Sequence, residues 1–146
     1  MDWYYPVLGG ALTGAAAEDR LAASWDAFVV PGLGVRCVAD RPWVTGAETC
    51  ELAMALAAAG QADAAAEQLA AMQHLRHEDG GYWTGYVFAD DAVWPVERTT
   101  WTAAAVVLAA DALSRTSPGN GVFRDADPYS APVYDTAALD CTCALV

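Results

Sequence analysis

Lysine is absent from this chain: its seven cationic residues are all arginines, set against nineteen carboxylates for a net charge of −12. Without lysine, no lysine side chain is available to form a Schiff base. Seven scattered arginines make no stripe that tracks phosphates, which disfavours nucleic acid as a partner, and an anionic membrane surface repels the chain on balance. Long apolar runs are missing too. The longest, Trp101 to Ala110, is interrupted by Asp111 and falls short of the roughly 18–20 residues that span a bilayer. Met1-Asp2-Trp3-Tyr4-Tyr5-Pro6 has no basic region of the kind that opens a secretory signal. Four cysteines, Cys37, Cys50, Cys141 and Cys143, make no disulfide framework, and Cys141-Thr142-Cys143 lacks the spacing of a zinc knuckle. A reducing, cytoplasmic setting is expected. The ending Cys143-Ala144-Leu145-Val146 has the outline of a prenylation box, which four residues match easily by chance. No Gly-x-Ser-x-Gly elbow, Walker loop or dinucleotide fingerprint is present.

What the chain does have is apolar surface and helical spacing. At 55% hydrophobic residues and a mean hydropathy of +0.21, it is bound to bury a core. Thr45-Gly46-Ala47-Glu48 reads as a capping box, opening a helix over 46–59 with Leu52, Leu56 and Ala59 on one face and Gly60 as its stop. A second helix over 62–75 carries Ala62, Ala65, Leu69 and Met72, which makes an αα-hairpin that ends at Asp79-Gly80-Gly81. A third, over 99–114, is capped by Thr99 or Thr100 and is apolar on every side from Ala103 to Ala110, so burial all round is expected. Leu21, Trp25 and Phe28 mark another over 17–28, and a short aromatic helix lies within Trp3 to Leu12. Strand signals are thin. Val35 to Val38 can pair briefly and Gly81 to Phe88 alternates, but neither has enough partners for a sheet. The class expected is all-α, with the tail from Asp125 to Val146 poorly ordered.

Repetition is the next signal. Trp43 and Trp94 each stand just upstream of a glutamate, a threonine and an Ala/Leu-rich helix, and glycine turns near residues 32, 80 and 119 each follow a helix. Helix pairs closing on such turns form a helical-hairpin array. Gln68-Leu69-Ala70-Ala71-Met72-Gln73 followed by Asp79-Gly80-Gly81-Tyr82-Trp83 resembles the glutamine–tryptophan repeat of squalene-type cyclases and their prenyltransferase relatives, with a longer gap from Gln73 to Trp83. The span Met1 to Arg124 also resembles short bacterial prenyltransferase-like proteins. The resemblance implies part of an (α/α)6 toroid over 1–124, with 46–59 and 99–114 as inner helices and an isoprenoid-type apolar small molecule as ligand. Four or five helices are too few to close such a ring, so a homodimer or a missing toroid half is expected to complete it.

Aromatic rings lining the cavity are then the substrate-binding candidates: Trp43, Trp83, Trp94, Trp101 and Tyr82, offering apolar area and π-faces. The plainer reading is that such rings simply pack. Protonating cyclases carry Asp-x-Asp-Asp, and here Asp90-Asp91 is only a pair; the zinc-ligand set of protein prenyltransferases is missing as well. Catalytic candidates are Glu97 and Glu48, both at the mouths of helices, where capping and the helix dipole also explain a carboxylate. Two glutamates in such a mouth also suit, as an alternative, a glycosidase of the six-hairpin kind, whose chemistry needs two carboxylates. A non-catalytic helical-repeat module that binds a partner protein is the remaining alternative. His74 and His77, beside Glu78 and Asp79, read as a solvated helix end, so no metal or cofactor is expected.

Overall fold

A computed structural model describes residues 2–124. The expectations for the tail from Asp125 and for Cys141 and Cys143 lie outside them. Helix α1 (Tyr5–Leu8) starts with Pro6 in its first turn and gives way to α2 (Gly14–Ala23) and α3 (Trp25–Phe28). Strands β1 (Val29–Val30), β2 (Gly34–Arg36) and β3 (Trp43–Thr45) follow, and β3 runs straight into α4 (Gly46–Ala58). After α4 come α5 (Ala62–Ala71), a 3₁₀ turn (Met72–Leu75), β4 (Gly85–Val87), β5 (Ala92–Val93) and α6 (Thr100–Ser114).

The all-α, toroid-segment expectation is wrong. The strands form one five-stranded antiparallel sheet in the order β1-β2-β3-β4-β5. Its middle pairing joins Trp43 to Val87, Val44 to Tyr86 and Thr45 to Gly85, bridging the whole α4–α5 hairpin. Each strand is only two or three residues long, too short for alternation to register in sequence. The two segments dismissed for want of partners find them in Trp43–Thr45, Val29–Val30 and Ala92–Val93.

Helix α4 is the centre of the molecule. One side contributes Leu52, Ala55 and Leu56 to a core shared with Trp3, Tyr4, Val7, Leu21 and Val35. The other contributes Ala47, Cys50 and Met54 to a second core with Met72, Leu75, Ala105 and Ala109. Burying each leucine contributes about 1.5–3 kcal/mol. Thr49 fastens the sheet to this helix: its buried hydroxyl accepts from the Val35 N–H at 2.9 Å and donates to the Thr45 carbonyl at 2.6 Å. That approach needs a glycine at position 34, where φ is +114° and a Cβ would sit 2.5 Å from Thr49 Oγ1.

Two local expectations also change. Helix α6, expected to be buried all round, buries one stripe, Thr102, Ala105, Ala109 and Ala112, against α4. Val107 is 66% exposed and Leu108 42%. Small residues on the inner stripe let the two helices approach closely, and no described residue covers the far side. The capping box is not formed either. Thr45 is the N-cap of α4 by backbone geometry, but its buried Oγ1 has no partner, because β3 carries it into the sheet. At α6 the cap is made, with Thr99 Oγ1 accepting from the Thr102 N–H at 3.2 Å. No helix of the described residues is long and apolar enough to cross a membrane.

Candidate active site

Helices α4 and α6 begin at the same end of the molecule. Gly46 lies so close to α6 that a Cβ there would be 3.0 Å from Thr102 Cγ2. The Gly46 N–H donates to the Thr84 carbonyl at 3.0 Å, and Thr84 in turn donates from N and Oγ1 to the Glu97 carbonyl, both at 3.1 Å. This relay brings Glu97, just before α6, to the mouth of α4. The Glu97 side chain is exposed, and no hydrogen bond to it is recorded among the described residues.

Glu48 occupies the first turn of α4 and is 2% exposed. Its Oε2 has no hydrogen-bond partner among the described residues. The Cys37 thiol, just beyond β2, is pushed up to about 11, first by burial and then by the charge of Glu48 and a hydrogen bond to it. Next along the helix, Glu51 is half-buried and fully engaged. Its Oε2 accepts from Tyr4 Oη at 2.8 Å and Tyr5 Oη at 3.1 Å, and its Oε1 from Trp101 Nε1 at 3.3 Å. Burial, then the Glu51 charge and hydrogen bond, push the Tyr5 phenol up to about 12 and Tyr4 higher still, with Glu48 adding to both. Both phenols are therefore neutral donors at any ordinary pH.

The expected aromatic wall divides. Trp101 belongs to the carboxylate cluster through Glu51. Trp43 and Trp94 pair with each other at the start of β3: the Trp43 indole donates to the Trp94 carbonyl at 2.9 Å, and the rings meet edge to face at 5.1 Å. Gly85 makes room for that indole, since a Cβ there would be 2.5 Å from Trp43 Nε1. Tyr82 and Trp83 are occupied elsewhere. Tyr82 donates to Gln73 Oε1 at 3.0 Å, while Trp83 lies between His77, 5.3 Å away edge to face, and the Arg98 guanidinium at 5.4 Å. Asp79 completes that turn with Arg98, His77 and the Gly81 N–H, which hold its carboxyl well below the ordinary carboxylate range. His74 faces the Leu33 carbonyl at 2.9 Å and the Tyr86 ring. Among the described residues no group of three histidine, cysteine or acidic side chains is placed to hold a metal ion. A groove lined by Leu8, Leu12, Ala58 and Phe123 lies at the opposite end of α4, away from Glu48.

Sequence reading missed Glu51, and counted Tyr4 and Tyr5 among the aromatic rings at helix starts without a carboxylate partner. The available signal was the Glu48-x-x-Glu51 spacing, which sets two carboxylates on one side of a helix with Cβ atoms about 5–6 Å apart.

No family model matches the chain. It is 64% identical over 144 residues to a curated protein of Mycolicibacterium hassiacum named MMP endo-(1,4)-3-O-methyl-alpha-D-mannosidase, an alignment covering 99% of this chain and 39% of that relative. The chain thus spans well under half of the relative's length. This overturns the resemblance to squalene-type cyclases and prenyltransferases, and with it the isoprenoid ligand and the transferase activity. The glutamine–tryptophan stretch that suggested them has a local explanation: Gln73 receives the Tyr82 hydroxyl, and Trp83 packs on His77 and Arg98. The chain is thus similar to part of a protein named as a mannosidase.

Proposed function

We propose that this chain contributes one side of a glycoside hydrolase active site that cleaves α-(1→4) linkages in 3-O-methylated mannose chains, with Glu48 as its acid. The observation that carries the reading is Glu48 itself, a carboxylate 2% exposed whose Oε2 has no hydrogen-bond partner among the described residues. Leaving such a group buried without a partner is costly and calls for an explanation. The substrate class is drawn from the name of the 64% identical relative.

In this reading the Glu48 carboxyl protonates the glycosidic oxygen as the bond from that oxygen to the anomeric carbon breaks. A second carboxylate takes the proton from the incoming water, or attacks the anomeric carbon and is later released by water. Glu97, exposed at the same mouth, is the second carboxylate this chain offers. Glu51, whose oxygens take three donors, is given no part in that step. Trp101 supplies an apolar face for the methylated sugar; Tyr82 and Trp83, already engaged with Gln73, His77 and Arg98, do not.

The test is incubation with synthetic α-(1→4)-linked 3-O-methylmannose oligosaccharides, with products followed by mass spectrometry. Glu48→Gln is expected to lower the rate by about 10²–10⁴-fold, the usual contribution of a general acid. Wild-type rate in Glu97→Gln would put the second carboxylate on polypeptide beyond these residues. An unchanged rate in Glu48→Gln would remove Glu48 from the reaction.

A further inference from the structure

We infer that Glu51 is a positioning residue: its two carboxylate oxygens set Tyr5 and Trp101 as paired aromatic walls for a methylated pyranose ring beside Glu48. The ligand's identity rests on the glycosidase reading; the role of Glu51 rests on geometry.

The carboxylate divides its oxygens between two sides of α4. Oε2 takes the phenols of Tyr4 and Tyr5, at 2.8 and 3.1 Å, from the segment that packs in the first core. Oε1 takes the indole N–H of Trp101, at 3.3 Å, from the first turn of α6, which packs in the second. Its donors stand 46, 47 and 50 residues away in sequence, so one side chain fixes the relation between two distant aromatic groups.

The three donors are not equivalent. Tyr4 is fully buried, with Trp3 and Tyr5 edge to face against it at 5.5 and 5.1 Å, and serves as the anchor. Tyr5 and Trp101 keep 39% and 45% of their surface exposed, yet each has its polar atom tied down. An exposed ring held in one orientation loses little rotamer freedom when a ligand stacks on it, which is how preorganised aromatic anchors gain affinity. A sugar carrying an O-methyl group offers more apolar area to such rings than the bare hexose does. A carboxylate serving only to tie α1 to α4 and α6 would need no exposed rings, since the buried Tyr4 bond already makes the first of those ties.

The experiment uses the complete polypeptide and four variants: Glu51→Gln, Glu51→Ala, Tyr5→Phe and, for assignment, Trp101→Phe. The first readout needs no substrate: the indole N–H resonance of Trp101, assigned by its loss in Trp101→Phe, is expected to shift in both Glu51 variants. The second is the split between KM and kcat on 3-O-methylmannose oligosaccharides. Tyr5→Phe, which loses one charge-assisted hydrogen bond, is expected to raise KM about tenfold, and Glu51→Ala, which loses all three, at least as much, each with kcat within about twofold. Glu51→Gln, which retains an acceptor oxygen, is expected to recover part of the loss. Tyr5→Phe is expected to leave the unfolding midpoint unchanged, because the Tyr4 anchor stays. A KM unaltered in Glu51→Ala and Tyr5→Phe would overturn the inference and leave Glu51 a structural tie. A collapse of kcat at constant KM would overturn it in favour of a catalytic role. Wild-type protein that neither binds nor cleaves these sugars would sink the glycosidase reading instead, and with it the sugar's place between the rings, while the Trp101 resonance still reports whether Glu51 holds the indole.

Discussion

Replacing Glu48 with methionine is expected to make the protein more stable and inactive at once. The side chain is 2% exposed, and one carboxylate oxygen has no partner among the described residues. A buried, unsatisfied acceptor carries a desolvation penalty of about 1–3 kcal/mol, more when charged. Methionine has similar length and no hydrogen-bonding demand, so the substitution removes that penalty without opening a cavity. Two favourable interactions are lost in exchange. A carboxylate in the first turn of α4 gains about 0.3–1 kcal/mol from the helix dipole, and the Cys37 thiol loses the acceptor that Glu48 gives it. The net expectation is a gain of about 0.5–2 kcal/mol, or a rise of about 2–8 °C in Tm for a chain of this size.

Urea unfolding monitored by tryptophan fluorescence measures the gain, and the hydrolysis assay measures the loss. Glu97→Met, at an exposed position, is the control and should stay within about 0.5 kcal/mol of wild type. If Glu48→Met is less stable than wild type by more than that margin at an unchanged m-value, the carboxylate is a satisfied structural group. Glu48 would then be no candidate for the catalytic acid.

Thr49→Val is expected to destabilise by about 1–3 kcal/mol, because a near-isosteric change strands the buried Val35 N–H; Thr49→Ser, keeping the hydroxyl, should lose less, and equal stability of all three proteins in urea would refute the tie between β2 and α4. The Asp79 carboxyl is lowered, chiefly by Arg98, so its contribution is complete above the ordinary carboxylate value of 3.8 and is lost as pH falls below it. Arg98→Gln should therefore flatten the decline in stability below about pH 4 relative to wild type, as read from thermal midpoints across an acid series.

How much of the fold was legible depends on element length. The helices announced themselves through spacing and punctuation: Gly60 stops α4, Thr99 caps α6, and the structure has helix over 46–58, 62–71 and 100–114. The 17–28 helix divides at Ser24, a break its apolar spacing does not mark. The sheet was not legible. A strand such as Trp43–Thr45 holds three residues, and its partner in β4 lies beyond the α4–α5 hairpin. Nothing in a three-residue pattern specifies a partner so far away. Taking those segments for loops removed the very element that turns β3 into the launching point of α4.

The site divides along the same line, between properties of single residues and properties of packing. Glu48 and Glu97 were visible because an acid before an apolar helical run stands out, but the reason offered for Glu48, a capping box, was wrong. Thr45 lies within β3 and its hydroxyl is buried, so Glu48 is left without that reciprocal partner. The failure of the local explanation is what makes the residue interesting: a capping glutamate would have a partner, and this one keeps an oxygen with none. Glu51 was overlooked for the opposite reason, since its meaning lies wholly in donors 46 to 50 residues away. Trp101 was expected as a ring lining the cavity, but the structure gives it to Glu51. That exchange moves the centre of the candidate site from the entrance of α6 to the first two turns of α4, where Glu48 and Glu51 lie. Glu48 keeps one carboxylate oxygen without a partner among the described residues, while its neighbour Glu51 is fixed by three donors.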